Sequence, residues 1–208
     1  MIKLLLATNN QGKLAELRSL LSGLNLELLS PKDLDLELDV RERGLTYLEN
    51  AVLKAAIFAD AAKIWTLADD TGLEVEALDG APGLFSARYA PQPDATDKDR
   101  RQYLIQNLEG TPQPWKASFV CTVALVGPEG SPIVTTGSCP GTIIPEGRGQ
   151  GGFGYDRIFR LEQTGLTMAE LTTEQKNELS HRALAVNKLI PTLESLFAEV
   201  TAADKLYE

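Results

Sequence analysis

The chain reads as an α/β protein, because strand-like and helix-like patterns alternate along it. Three stretches carry that expectation. Residues 2–7 are apolar and lead through a polar turn into leucines at helical spacing. A threonine-capped, alanine-rich helix beginning near Thr46 feeds a second apolar run at 64–68. Later, two strand-like runs flank a Pro128-Glu129-Gly130 turn before an amphipathic helix closes the sequence.

A chain of 208 residues fits one large domain or two small lobes sharing a core. The formal net charge of −9 argues against nucleic acid or an anionic membrane as partner, although a small anion remains possible where cations gather locally. Cys121 and Cys139 are too few and too far apart for a zinc site or a disulfide framework. Buried thiols in a reducing compartment are the expectation. The apolar run at the N-terminus is much too short for a signal peptide or a membrane span, and a cytoplasmic location follows.

The first strand, 2–7, runs into Thr8-Asn9-Asn10-Gln11-Gly12-Lys13, and Leu14, Leu17, Leu20 and Leu21 then mark a helix. Thr8, Asn9 or Asn10 can cap it. The start of such a helix offers backbone N–H groups to an anion, and Lys13 adds a point charge. The stretch lacks the second glycine and the Lys-Ser/Thr pair of a Walker A loop. Residues 26–29 suit a short strand that turns at Ser30-Pro31. The charged segment 33–43 is mostly solvated, with Glu42 kept as a possible ligand. Thr46 and Glu49 have the spacing of a capping box, and Lys54 shares a helix side with Glu49 and Asn50.

The run 64–68 is apolar and partly β-branched, and it delivers Asp69 and Asp70 to a strand end before a turn at Gly72. Paired carboxylates there call for a divalent metal or a bound water giving up its proton; the alternative is a solvated turn with an Asx-type hydrogen bond. Residues 73–78 alternate as a half-exposed strand, 79–83 form a turn, and 94–109 form a helix entered through Thr96 or Asp97. Strands at 117–126 and 133–138 make a hairpin that 142–144 extends. The segment 147–156 is the most glycine-dense, and Phe153, Tyr155 and Asp156 favour a base-stacking loop over a plain surface loop. A helical turn at 168–171, a helix start at 172–176 and a Ser180-capped final helix follow, with Pro191 expected to kink or end the latter. His181, the single histidine, would by itself be structural.

Taken together, these stretches resemble the inosine triphosphate pyrophosphatases, also called dITP/XTP pyrophosphatases. The resemblance rests on Ala7-Thr8-Asn9-Asn10-Gln11-Gly12-Lys13, Thr46-Tyr47-Leu48-Glu49-Asn50 with Lys54, and Ala68-Asp69-Asp70-Thr71-Gly72-Leu73. It continues through Gly80-Ala81-Pro82-Gly83, Ser86-Ala87-Arg88-Tyr89, Gly151-Gly152-Phe153-Gly154-Tyr155-Asp156, and Lys176 with Ser180-His181-Arg182. The order is the family's across nearly the whole chain. Arg157 stands where proline is common, and Glu42 has basic flanks.

The resemblance implies a long central mixed β-sheet flanked by helices, two lobes in a single domain over 1–208, and an active-site cleft between the lobes. It implies hydrolysis of ITP, dITP or XTP between the α- and β-phosphates, with Mg²⁺ as cofactor, in a homodimer. It places Thr8, Asn10 and Lys13 at the phosphates, and Asn9, Gln11, Gly12, Lys54 and Thr71 on substrate. Glu42 and Asp70 would hold Mg²⁺, with Asp70 the general base and Asp69 beside it. Phe153, Gly154, Tyr155 and Asp156 would enclose the purine, and Lys176, His181 and Arg182 would complete its recognition. A nucleotide sensor without catalysis and a pyrophosphatase of broader base range are the competing expectations.

Overall fold

The computed structural model describes residues 2–128 and 131–204. Seven strands and five α-helices follow one another as β1 (Ile2–Leu6), α1 (Gln11–Leu21), β2 (Leu26–Leu29), α2 (Tyr47–Ala62), β3 (Trp65–Val75), β4 (Pro82–Gly83), α3 (Asp97–Leu108), β5 (Trp115–Val126), β6 (Ile133–Ile143), β7 (Phe159–Leu161), α4 (Thr173–Leu179) and α5 (His181–Asp204). The strands form one mixed sheet in the order β2-β1-β3-β5-β6-β7, with β4 paired to β3. β1 runs parallel to β2 and β3, while β3–β4 and β6–β7 are antiparallel. The α/β class and the mixed sheet agree with the expectation.

Two compact units divide the chain. The first comprises Met1–Asp70, Thr122–Thr136 and Ala183–Glu208. Leu4, Leu5 and Leu6 of β1 are all buried, without the alternation of a one-sided strand, as a parallel strand covered on both faces requires. Ala51, Ala55 and Ala59 give α2 a small face that lies close against the sheet residues Leu5, Ala68 and Ala124. The segment after β2 alternates. Leu34, Leu36, Leu38 and Val40 pack on this core, while Asp33, Asp35, Glu37 and Asp39 face solvent. Pro191 lies inside α5 without ending it. Leu189 and Leu193 are buried on either side of it, and that anchoring outweighs the roughly 3 kcal/mol a proline costs within a helix.

The second unit comprises Thr71–Cys121 and Gly137–Arg182. Its core gathers Leu73 and Val75 of β3, Leu104 and Leu108 of α3, Phe119, Phe159 and Tyr155. Thr96 caps α3 and forms a full capping box with Asp99. Residues 168–170 form a hydrogen-bonded turn instead of the anticipated helical one. Ser180 has extended backbone between α4 and α5. Of the hairpin turn, Glu129 and Gly130 lie outside the described residues.

Cys121 and Cys139 are both buried, and no disulfide joins them. Burial pushes the Cys139 thiol up to about 11. The thiolate is the reacting species, so iodoacetamide at pH 8 should modify Cys139 far more slowly in native than in denatured protein. Equal rates by mass spectrometry would contradict its placement. Among the described residues no helix is long and apolar enough to cross a membrane.

Candidate active site

The two aspartates do not sit at a turn. β3 continues through Asp69, Asp70 and Gly72 to Val75, and its later residues pair with β4, Leu73 opposite Gly83. The strand then gives way to a single 3₁₀ turn at Glu76–Leu78, which cuts short the strand anticipated over 73–78. Both aspartates are buried, Asp69 at 1% exposure. What makes mid-strand carboxylates tolerable is the pair of lysines brought to them.

Register brings the first lysine. Leu6 of β1 stands opposite Leu67 of β3, so the turn after β1 emerges beside the aspartates. Asn10 is the residue that caps α1, its Oδ1 accepting the Lys13 N–H at 3.1 Å, while Thr8 Oγ1 accepts the Asn10 N–H at 3.2 Å. Gln11 and Gly12 open the helix, with Gln11 Nε2 donating to the Asn9 carbonyl at 3.4 Å. Lys13, one turn in, reaches Asp69 with Nζ 3.0 Å from Oδ2.

Helix α2 brings the second. Thr46 caps it as the sequence suggests, but the Glu49 carboxylate reaches one residue further back, accepting the Leu45 N–H at 2.6 Å. Lys54 Nζ donates to the Asp69 carbonyl at 3.0 Å and forms an ion pair with Glu42. Burial acts to lower the Lys54 pKa, but Asp69, Glu42 and Asp70 together hold it above its ordinary value. Asn50, one turn before Lys54 on α2, donates Nδ2 to Asp70 Oδ2 at 3.0 Å. Its Oδ1 accepts the Gly44 N–H at 2.8 Å, which fixes which end of the amide faces Asp70. Burial raises the Asp70 pKa; the Asn50 hydrogen bond opposes that, Glu42 raises it further, and Lys54 and Lys13 lower it. The net shift is upward. A cavity of about 220 Å³ lined by Thr8, Asn9, Asp39, Glu42 and Lys54 opens here.

These donors fit a magnesium-type cation. Among the described residues no group of three or more His, Cys, Asp or Glu side chains is set to hold a metal alone. Asp70 and Glu42 are close enough for one to raise the other's pKa, and both are hard oxygen donors. Such a cation commonly takes one or two carboxylates and completes its shell with water and substrate phosphates. Binding through Glu42 requires Lys54 to release it.

The second unit assembles another set. Asp156, itself buried, accepts the Phe153 N–H at 3.1 Å and the Lys176 ammonium at 2.7 Å, both through Oδ2. The Phe153 ring lies 5.7 Å from Lys176 Nζ and 5.8 Å from the Arg182 guanidinium carbon. Arg182 is almost wholly buried and donates Nη2 to Thr71 Oγ1 at 3.2 Å. Gly152 has φ +71°, and a Cβ there would overlap the Asp156 carboxylate, so the loop closes over Asp156 only with glycine at this place. Tyr155 departs from the anticipated role of a ring against the base. It belongs to the core, and its hydroxyl donates to the Ser86 carbonyl at 2.9 Å. His181 is also buried, stacked on Phe119 with centroids 4.6 Å apart and planes 13° off parallel.

A Ham1 family model matches residues 4–192. The chain belongs to the Ham1 family. Over 189 residues it is 48% identical to a dITP/XTP pyrophosphatase of Synechocystis sp., covering 90% of this chain and 93% of that one. Over 196 residues it is 43% identical to a dITP/XTP pyrophosphatase of Escherichia coli, covering 93% and 98% respectively. A solved HAM1 protein from Coxiella burnetii superposes with a TM-score of 0.84 at 38% identity, covering 94% of this chain and all of that one.

In this Ham1 family chain two buried polar residues escaped the sequence reading. Asn50 donates a side-chain hydrogen bond to Asp70, and its spacing of four from Lys54 on α2 was the available signal. Ser86 accepts the Leu73 N–H at 2.9 Å and donates to the Gly83 carbonyl, which ties β3 to the segment that receives Tyr155. Only the Gly83 bond is local; the contacts that give Ser86 its role come from residues 13 and 69 positions away.

Proposed function

We propose that this chain hydrolyses dITP, XTP and ITP to the nucleoside monophosphate and pyrophosphate, and so clears non-standard purines from the nucleotide pool. The reading is supported by relatives at 41–48% identity named dITP/XTP pyrophosphatase. The observation that carries it is the buried Asp70 carboxylate, oriented by Asn50 and flanked by Lys13 and Lys54. Pure phosphate binding does not call for buried acids beside lysines. A general base does, and its upward-shifted pKa brings it nearer the operating pH.

In this reading the first turn of α1, with Thr8, Asn10 and Lys13, takes phosphate oxygens, and Lys54 offsets further charge. Asp70 receives the proton of the attacking water. The water oxygen bonds to the α-phosphorus as the bond from that phosphorus to the bridging oxygen breaks, and pyrophosphate departs with the electron pair. Asp70 and Glu42 would hold Mg²⁺, which when bound screens phosphate charge and eases deprotonation of water. Phe153 offers a ring face to the purine, with Lys176 and Arg182 as donors toward a 6-keto oxygen. Adenine presents an amino donor at that position, so donor would face donor; sites built on such bonds discriminate by about 10⁴–10⁵. We further propose that the chain is a single domain and that the enzyme is a cytoplasmic homodimer.

The test is pyrophosphate release from ITP, dITP, XTP, GTP and ATP, each with Mg²⁺ and with chelator. The expected result is metal-dependent release from the first three and little from GTP or ATP. Binding without turnover makes the protein a sensor. Equal turnover of all five removes the selectivity assignment.

A further inference from the structure

The glycine-rich loop is gripped from outside by α3. Asp97 and Arg101 lie four residues apart on that helix and so share a face. Asp97 Oδ2 accepts the Gly154 N–H at 2.7 Å, and Arg101 Nη1 donates to the Gly154 carbonyl at 2.6 Å. Both backbone groups of one residue, more than fifty positions away, are thus held by charged side chains of one helix. Burial acts to raise the Asp97 pKa, yet the bonds from Arg100 and the Gly154 N–H outweigh it and hold the carboxyl below its ordinary value.

The gripped residue is the one that joins the two functional halves of the loop. Before it stands Phe153, whose ring faces Lys176 and Arg182. After it stand Tyr155, anchored to Ser86, and Asp156, paired with Lys176. Gly154 has φ +57°, and a Cβ there would meet nothing within 4 Å. Steric crowding therefore does not hold this peptide in place, and the two hydrogen bonds do. A turn held at its N–H alone can still rotate about that contact. The N–H contact holds the peptide plane between Phe153 and Gly154, the carbonyl contact holds the plane between Gly154 and Tyr155, and together they set the direction of Phe153 relative to the anchored Tyr155.

We propose that Asp97 and Arg101 are positioning residues that set the pose of Phe153 and thereby the selectivity for the purine base. This rests on the assignment of Phe153 to the base. Neither residue need touch the nucleotide, so the chemistry at phosphorus is left alone.

Asp97→Ala and Arg101→Met should each raise KM for ITP and weaken binding of inosine monophosphate by about tenfold, the scale of one charge-assisted hydrogen bond. The kcat for ITP should stay within about threefold of wild type, and the ITP-to-GTP preference should fall. Asp97→Asn keeps an acceptor for the Gly154 N–H while losing the charge opposite Arg100, and it should stay near wild type. Amide exchange at Gly154 should be slow in wild type and faster in Asp97→Ala, a readout that needs no turnover. If Asp97→Ala does not fold, Arg101→Met against Arg101→Lys carries the same comparison. Folded variants with wild-type KM and preference overturn the proposal, as does a loss confined to kcat, or an Asn variant as impaired as the Ala one. A wild type that binds inosine monophosphate without hydrolysing ITP sinks the pyrophosphatase reading and leaves the positioning role to be judged on binding and exchange. A wild type that does not bind inosine monophosphate overturns both.

Discussion

Asp70→Asn lowers turnover of ITP by about 10²–10⁴-fold, the usual contribution of a general base, while the protein becomes no less stable. The second half of that expectation follows from linkage. Burial first, then Glu42, raises the Asp70 carboxyl above the ordinary aspartate value, against the pull of Asn50, Lys54 and Lys13. A group whose folded pKa lies above its unfolded one contributes stability below the unfolded value and loses it as pH rises through the folded value. At neutral pH the wild-type protein therefore carries a desolvated charge at a cost. Asparagine removes the charge, and its side-chain oxygen can still accept from Asn50 Nδ2. The melting temperature of the variant at pH 7 should equal or exceed that of wild type, with the gap closing below pH 4. A folded Asp70→Asn enzyme with wild-type turnover would refute the base assignment.

Gly152→Ala should lower stability by about 2–4 kcal/mol, which for a chain of this size is a drop of roughly 4–16 °C in melting temperature. Two costs add. The backbone at φ +71° disfavours any side chain, and the new methyl group would overlap Asp156 Oδ2. That oxygen accepts from both the Phe153 N–H and Lys176, so moving it loosens the ion pair and the loop together. KM for ITP should rise with the loss of stability. Calorimetry showing less than about 0.5 kcal/mol of change, the range of an ordinary surface substitution, would mean the loop does not close over Asp156 as described.

The Lys13 end of the candidate site was largely legible because its parts are local. Strand, cap and lysine occur within a dozen residues of each other, and Asn10 acts as the cap among the three candidates offered. The Thr46 cap and the i to i+4 relation of Asn50 and Lys54 are local as well. Misreadings arose where a distant partner changes the meaning of a residue. Gly72 looks like a turn beside two charges, but pairing with β4 keeps it extended and the lysines make a buried position bearable. Tyr155 looks like a stacking ring next to Phe153. The core of its unit absorbs it, and burial raises its pKa far enough to keep the hydroxyl protonated as a donor to Ser86.

Sequence alone determined the α/β class and the family, because periodicity, capping chemistry and ordered motifs are written in neighbouring residues. Only the tertiary structure decided that Asp69 and Asp70 lie within a strand, that Asn50 orients Asp70, and that α3 holds Gly154. Those relations are hydrogen bonds and ion pairs between segments up to 57 residues apart. Their partners are chosen by sheet register and helix placement, which no local pattern records.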